Sequence, residues 1–505
     1  MREAFMPNKY YIGLDQGTTG VTTLLLDEKW NAVARGYKEI RQIYPAAGWV
    51  EHDAEEIWES ACETVKAVIR EGNVSAGDTI ACIGLDHEGE SVVLWDKETG
   101  IPVYNAVIWQ DRRTSQVADQ LKEQYQDMIL EKTGLIVDAY FSATKIQWIL
   151  QNVEKAQELA KAKRLLVGTM DTWLVWKMTG GKVHITDAST ASRTMLFNIH
   201  TGQWDQDLLD LMEIDRSILP EICDSAQVYG YTDPNVFVGL QVPISAVMVD
   251  QQAALFGQAC VTPGTVKTTY GTGCFMLMNT GEIVPRSENG LLTSVAWQLN
   301  QKRTYCLDGA IYISGAAVQW LRDGLKIIES ASETERRARS VESTNGVYFV
   351  PSFTGLAAPY WDSYARGTMV GITAGTTQEH IIRATLESSA YQVKDVLDRM
   401  EQDTKVPISV MRCDGGATAN GFLMQFQSDI LGIPLDIPKI TDTTALGAAY
   451  MAALGIGEFR DLSDIGKHWV LDRRYEPQMS ADQRESLLFY WHRAVERARS
   501  WALDL

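Results

Sequence analysis

The chain has 505 residues, 45% hydrophobic and 22% charged, an ordinary globular balance that excludes disordered, collagenous and coiled-coil classes. Its 46 basic and 65 acidic residues leave a formal charge of −19, and the largest basic clusters are the pairs Arg112-Arg113 and Arg473-Arg474, so nucleic acid is excluded as a partner. No apolar run reaches the roughly 18 residues of a membrane span. The seven cysteines are scattered without a CxxC pair, which disfavours a disulfide framework or a zinc site and points to a reducing, cytoplasmic setting.

In chain order, the first nine residues mix Arg2, Glu3, Pro7 and Lys9 and carry no apolar signal core. Residues 9–15 (KYYIGLD) form a short apolar run ending in the turn Gln16-Gly17-Thr18-Thr19-Gly20, and residues 21–27 (VTTLLLD) resume a strand pattern, so the pair reads as a hairpin. A helix follows from Asp53, which can cap it with Glu56 three residues on; Ile57, Ala61, Val65 and Val68 share one face. Some 250 residues later the pattern recurs: residues 264–270 run into Gly271-Thr272-Gly273, and residues 274–279 resume a strand. A third junction places a strand at 408–413, then Asp414-Gly415-Gly416, then a helix over 422–431 stopped by Gly432. Two similar hairpins, each opening one half, predict a duplicated α/β architecture around a central cleft. The boundary is expected near residue 253, giving domains 1–252 and 253–505.

A turn of glycines and threonines presents backbone N–H groups and hydroxyls that can wrap a phosphate. Asp15, directly before the first turn, adds a carboxylate suited to Mg²⁺. One such turn is commonly just a hairpin; two, together with Asp414-Gly415-Gly416 before a helix, can grip one nucleotide from both sides. The sequence GxxxxGK[ST] of a P-loop is absent.

These residues carry a resemblance. GLDQGTTG (13–20) resembles the first phosphate loop of the sugar kinase, Hsp70 and actin superfamily, and YFSATKIQWILQN (140–152) and GTMVGITAGTTQEHIIRATLE (367–387) look like the two signatures of the FGGY carbohydrate kinases. GWVEHD, WDKETG, IWQDRRT, DQQAALFGQ, YGTGCFMLMNTG, APYWD, MQFQSDILG and TALGAAYMA are similar to the glycerol kinase branch of that family, and the likeness runs from about residue 9 to residue 495. It implies two ribonuclease-H-like domains flanking a cleft, with ATP and Mg²⁺ between them and a small polyol as the phosphoryl acceptor. By position, Asp250 is the catalytic base, and Asp15 and Asp250 attend the metal. Thr18, Thr19, Gly271 and Thr272 hold phosphates, and Gly315, Gln319, Gly416, Ala417 and Asn420 line the nucleotide pocket. Glu90, Trp109, Tyr140, Asp250, Gln251 and Phe275 contact the polyol, with Gly89 and His87 beside them. Relatives commonly form dimers or tetramers, which makes a homo-oligomer the expectation.

Plainer readings stand beside these. Asp250 can be the N-cap of the segment that follows it, Trp109 and Tyr140 core aromatics, His87 a hydrogen-bonded structural histidine, and Glu88 and Glu90 two solvated carboxylates on one strand face. Cys82, Cys274 and Cys413 read as small buried apolar residues. Three positions depart from the family pattern. Gly89 and Thr22 stand where arginines are usual, and Tyr231 where some bacterial relatives carry a phosphorylated histidine. Gly89 removes a fork of donors and opens space, so a longer polyol such as a tetritol, or a ketose, is the alternative substrate. Thr22 removes a cation from the phosphates, for which Lys267 is a candidate replacement. A non-catalytic sensor of polyol and nucleotide is the reading from a different class.

Overall fold

The first hairpin forms from β1 (Lys9–Gln16) and β2 (Gly20–Asp27), antiparallel with Gln16 opposite Val21, in a computed structural model that describes residues 8–502. β3 (Ala32–Glu39) extends it. Asp53 then caps α1 (Ala54–Glu71), its Oδ1 accepting the N–H of Glu55 at 2.9 Å, and the expected stripe Ile57, Ala61, Val65 and Val68 is buried. The chain returns as β4 (Thr79–His87), parallel to β1, and after α2 (Ser142–Asn152) as β5 (Ala226–Tyr231) and β6 (Pro243–Val249). The resulting sheet has the order β5-β6-β4-β1-β2-β3.

Helix α3 (Asp250–Gly257) leads into the second half. There β7 (Val266–Tyr270) and β8 (Cys274–Gly281) form the second hairpin, Tyr270 opposite Cys274, followed by β9 (Leu292–Leu299), β10 (Lys302–Ile311) and α4 (Gly315–Asp323). After the long α5 (Gln378–Thr404) come β11 (Met411–Asp414), α6 (Gly421–Leu431), β12 (Leu435–Pro438), α7 (Thr443–Gly455), β13 (Leu471–Tyr475) and α8 (Ala481–Ala498). Gly432 ends α6 with φ +74°, the left-handed geometry that favours glycine. β11 starts three residues later than the sequence pattern suggests and takes in Asp414.

The second sheet has the order β9-β10-β8-β7-β11-β12-β13. Without the added edge strand β9, it repeats the first: a hairpin and a third antiparallel strand, then two parallel strands, then an antiparallel edge. The expected duplication is therefore present in the topology.

Alternation along β1 and β4 decides what each face meets. Ile12, Leu14, Ile83 and Leu85 pack under α1, whereas Tyr11 and Cys82 on the opposite face meet Ala253 of α3 and Ala445 and Ala449 of α7. Gly13 and Gly84 lie on that second face. A Cβ on either would stand about 2 Å from a carbonyl oxygen of α7, 1.9 Å from Ala445 and 2.0 Å from Ala448. Glycine thus lets a helix from the second half press its backbone onto the first sheet, which ties the halves together at the base of the cleft. In the second half, Ala390, Val393 and Val396 of α5 pack on Met276 and Leu307. No helix among the described residues is long and apolar enough to cross a membrane.

Candidate active site

The ends of β1, β4 and β6 converge on one edge, and three carboxylates mark them. Asp15 and Asp86 are direct partners in the parallel β1–β4 pair, and Asp250 follows β6. Asp250 is the first residue of α3, whose N-cap position is taken by Val249. The N-cap reading of Asp250 is corrected accordingly. Its Oδ1 accepts the N–H of Gln251 at 2.6 Å and its Oδ2 lies 3.2 Å from Gln251 Nε2. Burial raises the Asp250 carboxyl above its ordinary value, against the Gln251 hydrogen bonds and the charge of Lys267. That direction suits a group that accepts a proton near neutral pH.

Asp15 Oδ2 accepts a hydrogen bond from Thr444 Oγ1 of α7 at 2.7 Å. Burial, reinforced by the charge of Asp250 and opposed by that hydrogen bond, lifts its pKa to about 6. Thr22 is the cross-strand neighbour of Asp15, so the usual arginine position adjoins this carboxylate. Hard oxygen anions at the mouth of a parallel sheet suit a Mg²⁺ that keeps several waters.

A second group gathers beside the first turn. Trp109 Nε1–H donates to Thr18 Oγ1 at 2.9 Å, and the Trp109 ring meets Tyr140 edge to face at 5.7 Å. The structure thereby joins the first phosphate turn to the aromatic wall. Tyr140 sits in the loop before α2, whose Lys145 donates to the carbonyls of Ala139, Tyr140 and Phe141 at 2.5–2.9 Å. Glu90 Oε1 accepts from Arg193 Nε at 2.7 Å, and Arg193 Nη1 reaches Ser294 Oγ at 2.7 Å and Asp308 Oδ2 at 3.1 Å. Burial raises the Glu90 carboxyl, with Arg193 opposing and Asp250 adding to the shift. The Tyr140 hydroxyl, Glu90 and Asp250 act on one another electrostatically, so these three predicted residues share one locale. Phe275 lies half-buried on β8, just past the second turn.

Glu88 and Glu90 are 2% and 3% exposed. The solvated-carboxylate reading fails because β4 ends at His87 and the chain turns inward, with Glu90 at φ +63°. Glu88 faces the Nδ1 of His52 at 3.3 Å, and His52 Nε2 pairs with Gln42 Oε1 at 2.9 Å. His87 is buried, its Nδ1 2.8 Å from the Glu88 carbonyl and its Nε2 3.0 Å from Thr190 Oγ1. These contacts are those of a structural histidine. At Gly89 an added Cβ would stand 3.2 Å from Val249 Cγ1. Cys82, Cys274 and Cys413 are buried as expected, and all seven cysteines are free.

In the second half, α4 starts directly against the second turn: Gly315 N–H donates to Gly271 O at 3.1 Å and Ala316 N–H to Thr272 O at 2.9 Å. Gly415, at φ +89°, abuts the Tyr270 carbonyl, and Gly416 faces open space. Ala417 follows in the same short turn. Asn420 caps α6 through its Oδ1 and bonds Thr334 through its Nδ2. Gly315 thus adjoins the second turn, the Gly415–Gly416 bend abuts the strand that leads into it, and Gln319 is exposed on α4. Thr18 and Thr19 occupy the opposing turn, which Gln42 braces through the Thr18 carbonyl at 2.7 Å.

Sequence reasoning did not single out Arg193, Asp86 or Asp308. Arg193 lies 103 residues from the Glu90 it holds, and no spacing signal links them. Lys267, considered only as a replacement cation, is fully buried on β7; its Nζ donates to Gln251 Oε1 at 2.5 Å and Thr269 Oγ1 at 3.0 Å.

Comparison with known proteins agrees with this geometry. The N-terminal domain of the FGGY family of carbohydrate kinases matches residues 10–257 and its C-terminal domain residues 266–456. The chain is 55% identical to glycerol kinase 2 of Thermotoga maritima, over 98% of this chain and 99% of that protein. It is 54% identical to a glycerol kinase of Caldanaerobacter subterraneus, with the same shares covered. Among solved structures, Plasmodium falciparum glycerol kinase with ADP superimposes with a TM-score of 0.92 at 35% identity, covering 98% of this chain and 99% of that one.

Proposed function

The chain belongs to the FGGY family of carbohydrate kinases, and from that premise we propose that it transfers the γ-phosphoryl group of ATP to a terminal hydroxyl of glycerol. The observation that carries the residue assignment is Asp250. It is a half-buried carboxylate in the first turn of a helix, whose charge acts on Glu90 and Tyr140 and which feels the charge of Lys267. The family relationship and the long, full-length likeness to glycerol kinases support the substrate.

In this reading Glu90, held by Arg193, accepts hydrogen bonds from polyol hydroxyls, and Trp109, Tyr140 and Phe275 cover the carbon side and exclude water. Asp250 orients the attacking hydroxyl and accepts its proton, while Gln251, fixed by Lys267, donates alongside. The backbone N–H groups around Thr18, Thr19, Gly271 and Thr272 hold phosphates, and the glycines at 315 and 416 leave room for the nucleotide. Mg²⁺, when bound near Asp15 and Asp250, would neutralise phosphate charge. Positioning and charge neutralisation are what phosphoryl transfer requires. The proposed setting is the cytoplasm, the proposed assembly a homo-oligomer, and the expected domain limits 1–252 and 253–505 remain part of this proposal.

The test is Asp250→Asn. It is expected to lower kcat about 10²- to 10⁴-fold, the usual contribution of a general base, while ATP still binds. Near-normal turnover would exclude Asp250 as the base. A second reading, a longer polyol, rests on Gly89 and the donors it lacks. A panel of glycerol, tetritols, pentitols and pentuloses at saturating Mg-ATP separates the two by kcat/KM.

A further inference from the structure

Gly89 leaves the polyol site without a guanidinium from that position, and Arg193 stands directly behind the gap. A Cβ added at Gly89 would lie 3.9 Å from Arg193 Cγ. The Arg193 side chain is 4% exposed, and its charge lies 5.7 Å from the centre of the Tyr140 ring and 5.4 Å from that of Phe141. Three groups fix its orientation. Nε–H donates to Glu90 Oε1 at 2.7 Å, Nη1–H donates to Ser294 Oγ of β9 at 2.7 Å, and Asp308 Oδ2 of β10 lies 3.1 Å from Nη1. Asp308 shares its sheet face with Ala310, the cross-strand partner of Phe275, so the anchor belongs to the same wall as that aromatic.

A guanidinium carries five N–H donors in one rigid plane. Here Nε and Nη1 are engaged, whereas Nη2 donates to no protein group among the described residues. It is not sealed off, as Asp308 Oδ1 and both Glu88 oxygens are. Glu90 Oε2 likewise lacks a protein donor and is not sealed. In the planar group Nε–H and one Nη2–H point to the same side, so Nη2 lies alongside the carboxylate whose Oε1 takes Nε–H. An open acceptor and an open donor are therefore neighbours beside the Tyr140 ring. Hydroxyls on adjacent carbons can fill both at once, one donating to Glu90 Oε2 and the other accepting from Arg193 Nη2.

We infer that Arg193 binds the polyol directly through Nη2, supplying from 103 residues away the guanidinium that position 89 lacks, and that the site selects a vicinal diol beside the hydroxyl to be phosphorylated. The polar residues nearer in sequence are committed elsewhere: His87 pairs with the Glu88 carbonyl and Thr190, and Glu88 faces His52. Ser294 and Asp308 hold the guanidinium before any substrate arrives, so little ordering is left to be done on binding. The inference rests on the kinase reading of this cleft and adds to it a substrate contact and the pattern of hydroxyls recognised.

The experiment compares kcat/KM for ADP release with glycerol, propane-1,2-diol and propane-1,3-diol at saturating Mg-ATP. The first analogue lacks one terminal hydroxyl and the second the central one. The wild-type chain is expected to lose about ten- to a hundredfold with each, because each missing hydroxyl leaves a charged partner unmet. Arg193→Lys keeps a cation for Glu90 and Asp308 but has no fork. It should lower kcat/KM for glycerol, return one of the two losses to near unity and leave the other, which belongs to Glu90, in place, with KM for ATP unchanged. An arginine that only holds Glu90 would blunt both losses or neither, and either result overturns the inference. The wild-type comparison tests it without any variant: equal turnover of all three alcohols also overturns it. A wild-type chain that releases no ADP with any of the three refutes the kinase reading itself, whereas a working enzyme without this discrimination refutes only the role of Arg193.

Discussion

Asp86 and Asp414 occupy the same place in the two halves of the molecule. β4 runs parallel to β1 with Asp86 opposite Asp15, and β11 runs parallel to β7 with Asp414 opposite Thr269. Both aspartates are buried. Asp414 Oδ2 accepts hydrogen bonds from Gln258 Nε2 and Thr443 Oγ1, each at 2.7 Å, whereas Asp86 accepts none. The start of α7 serves both halves unequally, Thr443 bonding Asp414 and Thr444 bonding Asp15. One duplicated position is held by donors from two other helices, and the other is buried against a second carboxylate, Asp15, with no protein N–H or hydroxyl donor.

The largest effect that can break this comparison is on stability. Asp414→Ala strands the Gln258 amide and the Thr443 hydroxyl in the interior, at about 1–3 kcal/mol for each buried unsatisfied group, so a loss of about 2–6 kcal/mol is expected in chemical denaturation. Asp86→Ala strands no donor and removes a buried charge, so protein carrying it should lose far less. Equal losses would mean that the two positions are structurally alike after all.

The next effect is on catalysis and concerns the cation that faces the first half. Lys267 reaches from the second half to Gln251, and its charge acts on Asp250. Burial lowers its pKa, with Asp414, Asp250 and Asp308 opposing, so removing it relieves a desolvation penalty as well as breaking a hydrogen bond. Lys267→Met is expected to cut kcat/KM for the polyol about ten- to a hundredfold, the value of a charge-assisted hydrogen bond of about 1.5–3 kcal/mol, while the KM for ATP moves little. Steady-state kinetics with each substrate varied in turn reads that split.

Much of this was legible in the sequence. The α1 cap and stripe, both hairpins and the glycine that stops α6 were local patterns, and local patterns survive folding where tertiary contacts do not compete. The phosphate turns and Asp250 followed from residue type and family likeness. What stayed hidden depends on pairing between distant segments. Nothing near Glu90 announces Arg193, and nothing near Asp86 announces that its two oxygens lack donors. The alternation of Glu88 and Glu90 suggested a solvated strand face because the inward turn after His87 is set by packing, not by any local glycine or proline signal beyond Gly89. Asp86 went unnoticed for the same reason: one acid in a buried strand is informative only once its neighbours are known.

The smallest effect sharpens the contrast from the saturated side. In the second half Asp395 of α5 accepts Trp491 Nε1 at 2.7 Å, Tyr360 Oη at 2.8 Å and His492 Nε2 at 2.8 Å, locking α8 onto the domain. The hydrogen bond to Asp395 raises the His492 pKa, against burial and with the Asp395 charge adding to it. For a histidine so raised, the stabilisation is fully present below the unfolded-state value of about 6.5 and disappears as pH rises through the higher folded-state value. The His492 side chain is 54% exposed, so solvent screening holds the contribution to a few tenths of a kcal/mol. His492→Gln should therefore lower Tm slightly at pH 5.5 and leave it unchanged at pH 8.5. Trp491 and Tyr360 would still satisfy Asp395 in that variant, and a drop of several degrees at both pH values would mean that the saturated carboxylates of this half depend on each donor more than their number suggests.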